Sequence, residues 1–408
     1  MIKKILKKAE AAVKANILFN IEAYLEERQE KNGRHPIHDN RYHLQEAIGW
    51  LKRAQDATPD GGVSRGYSIA WNPYFQSKGW QPSYPETTGY IIPTFFECAK
   101  YLNDSDLFNR AVRMAEWEIA IQMKSGAVRG GVISKDEPIP SVFCTGQVIF
   151  GWVYTYKETG NDNFLIAAKK AGDFLLTVQD ANGQLVEDGK YNFADREATA
   201  YHTRVAWSLI LLGQAAKDKR YIKAGIKNIE YNLKYQEKNG WFKNNCLYDA
   251  TQPLLHTICY VIEGTLGAAL LLKDERFIKA ARSTADSLLL LNSKGEYLPG
   301  RFNKDWMGTV NWSCLTGDAQ LSVIFLRLYG VTKDVKYLDG ARRLIEFIKT
   351  TQNCSTANLG IRGGIKGSYP VSGTYGKYQI LNWATKFYAD ALLLDELICA
   401  NKGYVVYG

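Results

Sequence analysis

Six stretches of this 408-residue chain open with side chains that could do chemistry where a buried helix would carry apolar ones. They read ETTGYIIP from Glu86, FCTGQVIF from Phe143, AYHTRVAW from Ala200, LLHTICYV from Leu254, CLTGDAQL from Cys314 and ILNWATKF from Ile380. Aligned, one column holds Thr88, Thr145, His202, His256, Thr316 and Asn382, and two residues on stand Tyr90, Gln147, Arg204, Ile258, Asp318 and Ala384. A lone Thr at a helix start is a cap, and a lone His is a satisfied core residue. A recurring polar level on several helices that point at one axis reads instead as the floor of a ligand cavity. The intervening segments add Tyr84, Arg129, the run Asp195–Arg196–Glu197, Tyr201, Arg301, Trp306, Trp312, Arg362 and Tyr375. Acids, aromatics and guanidinium groups are the inventory for gripping an oligosaccharide that carries carboxylates.

Three chemistries fit these residue types. Hydrolysis of a glycosidic bond needs two carboxylates, one of them a proton donor with a raised pKa. Glu86 leads as the acid because it heads an otherwise buried helix, with Asp318 and Asp195 as its candidate partners. The helix N-terminus favours its ionised form, whereas burial favours the protonated one. Elimination or C5-epimerisation of a uronate needs a base for the proton next to the carboxylate and a clamp for the resulting enolate. Tyr201, His202, His256 and Tyr84 are the acid–base candidates there, and Arg204 the clamp. A glycan-binding scaffold would need the aromatics and donors but no poised acid. Hydrolysis is the first expectation of the three. The HPIHD stretch (His35, His38, Asp39) has metal-ligand residue types but no third ligand nearby, so no metal and no cofactor are expected.

The elements that must position these residues recur with a period of about fifty-six residues, the signature of a repeat architecture. Long apolar runs begin near Glu86, Ser141, Thr199, Leu254, Asn311 and Tyr378, and amphipathic runs follow at 104–123, 161–178, 219–236, 275–291 and 333–351. Each amphipathic run ends at a glycine-containing loop such as KSGAVRGG or ANLGIRGG. The sixth apolar run has no partner after it, but 40–57 followed by TPDGGVSRGYS has the missing form at the other end of the chain. The expectation is an all-α (α/α)6 toroid spanning residues 1–408 as a single domain, with short β segments in the loops at one end. Apolar inner helices would be ringed by outer helices with one apolar stripe. Short turns join inner to outer helix and long loops join outer to the next inner helix. Long loops in compact domains are usually functional, so the site belongs at the end where inner helices begin.

Composition bounds the rest. Apolar residues make up 46% and charged residues 23% of the chain, an ordinary globular balance, and 10 Trp with 25 Tyr suit a sugar-stacking cleft. The net charge of +9 is spread along the chain, which suits an acidic saccharide and does not argue for nucleic acid. The seven cysteines, with no CxxC pair, read as reduced core residues of a cytoplasmic protein. Residues 1–38 read as an N-terminal amphipathic helix and lead-in rather than a signal peptide. That helix is expected to pack on the domain, with peripheral membrane contact the alternative. No window reads as a bilayer span. Neither a P-loop nor a dinucleotide fingerprint is present.

The strings SYPETTGYIIPT, VFCTGQVIFG, YHTRVAW, LHTICYVIEG, NWSCLTGDAQLS and LNWATKFYADALL resemble the VpsJ-like exopolysaccharide-biosynthesis proteins, which belong with the six-hairpin glycosidase-like toroids. The resemblance runs from about Asp60 to Asp395. It implies the toroid fold and a place in bacterial surface-polysaccharide production, and it leaves the reaction open. A shorter likeness, YHTRVAWSLILL, is similar to a helix start of heparosan-type glucuronyl C5-epimerases.

Overall fold

A computed structural model describes residues 20–186, 199–293, 295 and 297–400. A first helix, α1 (Ile21–Asn32), precedes the first outer helix, α2 (Asn40–Asp56). Five hairpins follow in order: α3 (Pro85–Leu102) with α4 (Ser105–Ile121), α5 (Val142–Thr159) with α6 (Asp162–Thr177), α7 (Thr203–Ala215) with α8 (Lys219–Leu233), α9 (Leu255–Leu272) with α10 (Glu275–Asn292), and α11 (Leu315–Thr332) with α12 (Val335–Lys349). The last inner helix, α13 (Asn382–Cys399), pairs with α2 from the other end of the chain, and α3, α5, α7, α9, α11 and α13 pack each on the next until α13 meets α3. The expected (α/α)6 toroid is therefore closed by the chain's two ends.

The inner helices are buried on all sides, continuously from Val142 to Thr155 in α5 and from Leu255 to Ala269 in α9. By length and composition α9 is apolar enough to cross a membrane, which corrects the reading that no window reaches that length. It lies 83% buried at the centre of the ring, where an all-round apolar helix belongs. Each inner-to-outer turn repeats one device. A left-handed residue (Asn103, Gly160, Lys217, Lys273 or Lys333) ends the inner helix, and the next residue (Asp104, Asn161, Asp218, Asp274 or Asp334) caps the outer helix by accepting a backbone N–H.

A second device repeats at the opposite end. An amide side chain near the C-terminal end of each outer helix donates to the following glycine loop, to the next outer helix, or to both. Gln55 reaches the carbonyls of Gly61 and Arg110, Gln122 those of Gly126 and Ala167, and Gln179 those of Gly183 and Ala224. Gln236 reaches Ala280 and Asn292 reaches Gly340. Gln352 closes the circle on the carbonyls of Gly363 and of His43 in α2. These bonds tie each loop to its neighbour, so the end that carries the site is held at every joint.

Short strands decorate that end: β1 (Gly66–Asn72) lies between β2 (Ser77–Trp80) and β7 (Gln379–Leu381), all antiparallel, and the two-residue pairs β3 (Val128–Arg129) with β4 (Pro140–Ser141) and β5 (Ser313–Cys314) with β6 (Ser368–Tyr369) stand apart. The β1–β7 pairing sets Gly66 against Leu381, which again joins the two ends of the chain. Helix α1 packs over this region through Glu26 and Glu30, whose carboxylates flank the buried Lys366 ammonium at 2.8 and 2.9 Å. Residues 1–19, the remainder of the expected amphipathic segment, lie outside the described residues. The HPIHD stretch is spent on structure: Asp39 caps α2, the His38 N–H donates to His43, and the His35 N–H donates to Thr350.

Candidate active site

The N-terminal ends of the inner helices converge on a cavity of about 160 Å³. A bound water occupies roughly 10–15 Å³ by this measure, so the space suits a guest of about a dozen heavy atoms, one sugar ring. Among the described residues its only carboxylate is Glu86, in the first turn of α3. Around it stand Arg65, His256, Cys144, Phe143, Trp383 and six tyrosines, at 84, 90, 201, 248, 260 and 375. The exposed Tyr248 marks the mouth, and Tyr90 and Tyr260 lie fully or almost fully buried at the inner end.

Local sequence explains how Glu86 is held. Pro85 suits the first helical turn because its missing N–H would be unpaired there. The Tyr84 hydroxyl donates to the Glu86 carboxylate, and the Cys144 thiol approaches the same oxygen at 3.6 Å. Glu86 is partly exposed, to the cavity it lines, yet the surrounding protein encloses it; burial raises its carboxyl above the usual range, while the bonds from Tyr84 and Cys144 and the charges of Arg65 and Arg204 restrain that rise. Burial therefore outweighs the helix-start effect that the sequence set against it.

His256 contributes the other titratable group of this kind. Its Nδ1 meets the Gln320 Oε1 at 2.6 Å, and its ring packs 4.3 Å from Tyr260 and 5.8 Å from Tyr375, centre to centre. Burial, with a smaller contribution from Arg204, pushes the imidazole down to about 4, so it is neutral at pH 7. Arg65 lies with its guanidinium 4.8 Å from the Trp383 ring centre and donates to the side chains of Gln81 and Gln379. The described lining thus holds an acid, a neutral base, the Arg65 guanidinium and a wall of aromatic faces with hydroxyl edges.

Of the residues singled out in the sequence, Tyr84, Glu86, Tyr201, His256 and Tyr375 come together here, with Tyr90 from the second column. Apart from His256, the polar column does not line the cavity. The Thr88 hydroxyl donates to the Tyr84 carbonyl and accepts the N–H of Val63, and Thr145 repeats this with Ser141 and Val128. Thr385 does the same with Leu381 and Ile365, so the last helix aligns on Thr385, three residues beyond the Asn382 first placed in that column. Asn382 instead donates to the Ser64 carbonyl and to Thr87. These side chains anchor the glycine loops.

Other candidates sit elsewhere. Arg204 is wholly buried beneath the cavity, bonded to Gln147 at 2.7 Å and to Glu263 at 2.5 Å, and is a framework ion rather than a clamp open to a ligand. His202 lies behind Tyr201 and Phe143, its ring 4.6 Å and 6.3 Å from theirs. Asp318 is fully buried, accepts the Ser313 hydroxyl and does not line the cavity with Glu86. Arg129 bonds Ser134, Arg301 the Gln252 carbonyl, and Arg362 pairs with Glu46 on the outer wall. Trp306 donates to the Asn239 carbonyl against Trp241, and Trp312 packs over Gly300 and Gly373. Asp195 lies outside the described residues.

The sequence reading passed over Arg65, Phe143, Cys144, Tyr248, Tyr260 and Trp383. Most of these lie a position or two from the polar column, or one helical turn after it, where an aromatic residue reads as core. Arg65 sits in the long loop after α2, and only the long-loop rule pointed to that segment.

No protein-family model matches the chain, and no curated protein does. Among solved structures it is similar to an unsaturated glucuronyl hydrolase specific for heparin (16% identity, TM-score 0.68, 88% of this chain and 98% of that one). It is likewise similar to the cellobiose 2-epimerase of Bacillus thermoamylovorans (14%, 0.68, 88% and 98%) and to a sugar epimerase from a ruminal bacterium (13%, 0.69, 90% and 99%). At such identities the likeness establishes the architecture: this chain has the (α/α)6 toroid fold that those proteins share.

Proposed function

We propose that the chain is a carbohydrate-active enzyme that performs acid–base chemistry on one sugar unit of an oligo- or polysaccharide. The observation that carries the reading is that Glu86, its carboxyl raised by burial, and His256, its imidazole held neutral by burial, line one sugar-sized aromatic cavity. A carboxyl whose protonated form burial favours and an unprotonated imidazole set a proton donor and a proton acceptor in one cavity. Similarity in fold to a glucuronyl hydrolase and to sugar epimerases supports a saccharide ligand. Arg65 favours a substrate with a carboxylate, and the likeness to VpsJ-like proteins favours a unit of a bacterial surface polysaccharide.

The reaction class this pair fits best is proton transfer at carbon. His256 takes the proton next to a carboxyl or carbonyl group, and the C–H electron pair moves into that group as an enolate beside Arg65. Glu86 then returns a proton to the carbon, or gives it to a departing oxygen if the step is an elimination. Hydrolysis is the second reading, favoured by the raised carboxyl of Glu86, which suits protonation of a glycosidic oxygen. It requires a second carboxylate, and with Asp318 walled off the remaining candidate is Asp195.

The test is product analysis by mass spectrometry in deuterated water on uronate-containing and neutral oligosaccharides, with Glu86→Gln and His256→Asn alongside. Deuterium on carbon, or an unsaturated end, lost in both variants, supports proton transfer. New reducing ends lost in Glu86→Gln but retained in His256→Asn move the assignment to hydrolysis. Binding with no chemical change across the panel overturns the enzymatic reading.

A further inference from the structure

Beneath the cavity four buried polar side chains form one chain of contacts that ends on His256. Arg204 in α7 pairs with Glu263 in α9, and the Gln320 amide nitrogen in α11 donates to the same Glu263 oxygen at 2.9 Å. The Gln320 amide oxygen then meets His256 Nδ1. Arg204, Glu263 and Gln320 are each no more than 1% exposed, so no solvent rearranges them.

The chemistry of the groups leaves one proton arrangement. A guanidinium donates only, and a carboxylate facing it accepts only. The Gln320 amide must therefore turn its NH2 to Glu263, because the flipped amide would set its oxygen against the carboxylate. Its carbonyl oxygen is left facing His256, and a carbonyl accepts only. His256 Nδ1 must then carry the proton, and because the ring is neutral its Nε2 carries the lone pair.

We propose that Glu263 and Gln320 are positioning residues that fix His256 as the Nδ1–H tautomer and so leave Nε2 as the base for the cavity. The catalytic half of this inference rests on the reading of the cavity as an active site; the tautomer half does not. A histidine side chain in water favours the opposite tautomer, so the relay has a definite effect to exert. The neighbouring inner helices supply its parts, which gives the framework ion pair of Arg204 a function that its burial would not reveal.

The experiment is a long-range proton–nitrogen NMR correlation on the full chain with 15N-histidine. The chain has five histidines, and the His256 signals are assigned by their loss in His256→Asn. The expected result is a protonated Nδ1 and a bare Nε2 at neutral pH, shifting toward Nε2–H in Gln320→Met, which keeps the volume and removes the acceptor. An Nε2–H or doubly protonated ring in the wild-type protein overturns the inference, as does a tautomer that Gln320→Met leaves unchanged. Should Gln320→Met fail to fold, the wild-type spectrum alone decides the tautomer, and Gln320→Glu, expected to raise the pKa of the ring, serves as the second variant. With a turned-over glycan in hand, kcat in Gln320→Met is expected to fall about tenfold or more with KM little changed. An unchanged kcat overturns the positioning role, and inactivity of the wild-type protein on every glycan overturns the catalytic reading while the NMR result still decides the relay.

Discussion

The hydroxyl of Tyr84 donates to the carboxylate of Glu86 two residues further along the chain, across the first turn of an inner helix. The bond stabilises the ionised carboxylate in a place where burial disfavours it. Tyr84→Phe removes the bond and leaves the burial, so the Glu86 carboxyl is expected to rise further. The limb of the pH–rate profile that reports the acid should then move to higher pH. A profile that stays in place would show that Glu86 is not the group that limb reports.

Asp318 gives a prediction about stability instead. Burial raises its carboxyl from 3.8 to about 8, with the Ser313 bond opposing the rise. Between those limits the unfolded chain has lost this proton and the folded chain keeps it. The folded state thus binds more protons, and stability falls as pH rises through the window, by up to about 1.4 kcal/mol per unit. Asp318→Asn keeps the shape and removes the titration. Urea melts at about pH 5 and about pH 8 should show the variant gaining on the wild-type protein at the higher pH. An equal difference at both would mean that Asp318 titrates normally.

The toroid was legible in the sequence because its causes are local and repeated. Asn103–Asp104 and Lys273–Asp274 are the same left-handed residue and cap, and the apolar runs recur with one period, so six hairpins and their closure follow from spacing. The site was legible only in part. Glu86 stood out as a charge at the head of a buried helix, and His256 as a polar residue in an apolar run. The direction of each side chain was not readable. Thr88 and Glu86 lie two residues apart on one helix start, yet one anchors a loop and the other faces the cavity, because the loop residue Val63 arrives from another hairpin. Arg204 and Tyr260 misled in opposite senses: a charge that aims at the axis sits below the cavity, and an aromatic residue with a core-like setting lines it.

Ring closure is testable at a single glycine. Gly363 has φ +82°, and a Cβ there would lie 2.3 Å from the carbonyl oxygen of Glu46 in α2, the helix from the other end of the chain. Gly160 has φ +68° and nothing within 4 Å of the same atom. Gly160→Ala is therefore expected to cost only the left-handed strain of about 1–2 kcal/mol. Gly363→Ala adds a backbone clash at the joint that closes the circle, and should cost more, about 3 kcal/mol or above. Equal losses in thermal or urea unfolding would mean that the joint yields without cost.

The loop-anchoring role of the threonine column separates stability from binding. Thr145 is fully buried and accepts the N–H of Val128, which lies on the strand leading toward the cavity wall. Thr145→Val keeps the volume and strands that donor, at a cost of about 1–3 kcal/mol. Because the hydroxyl faces the loop and not the cavity, the folded variant should bind a saccharide with nearly the wild-type Kd. Tyr201→Phe makes the contrasting change: its hydroxyl belongs to a cavity-lining residue, and removing it should weaken binding. Calorimetric titration and urea melts on the two variants give the four numbers required. Weakened binding in Thr145→Val with unchanged stability would return the threonine column to the floor of the cavity, where the sequence first placed it.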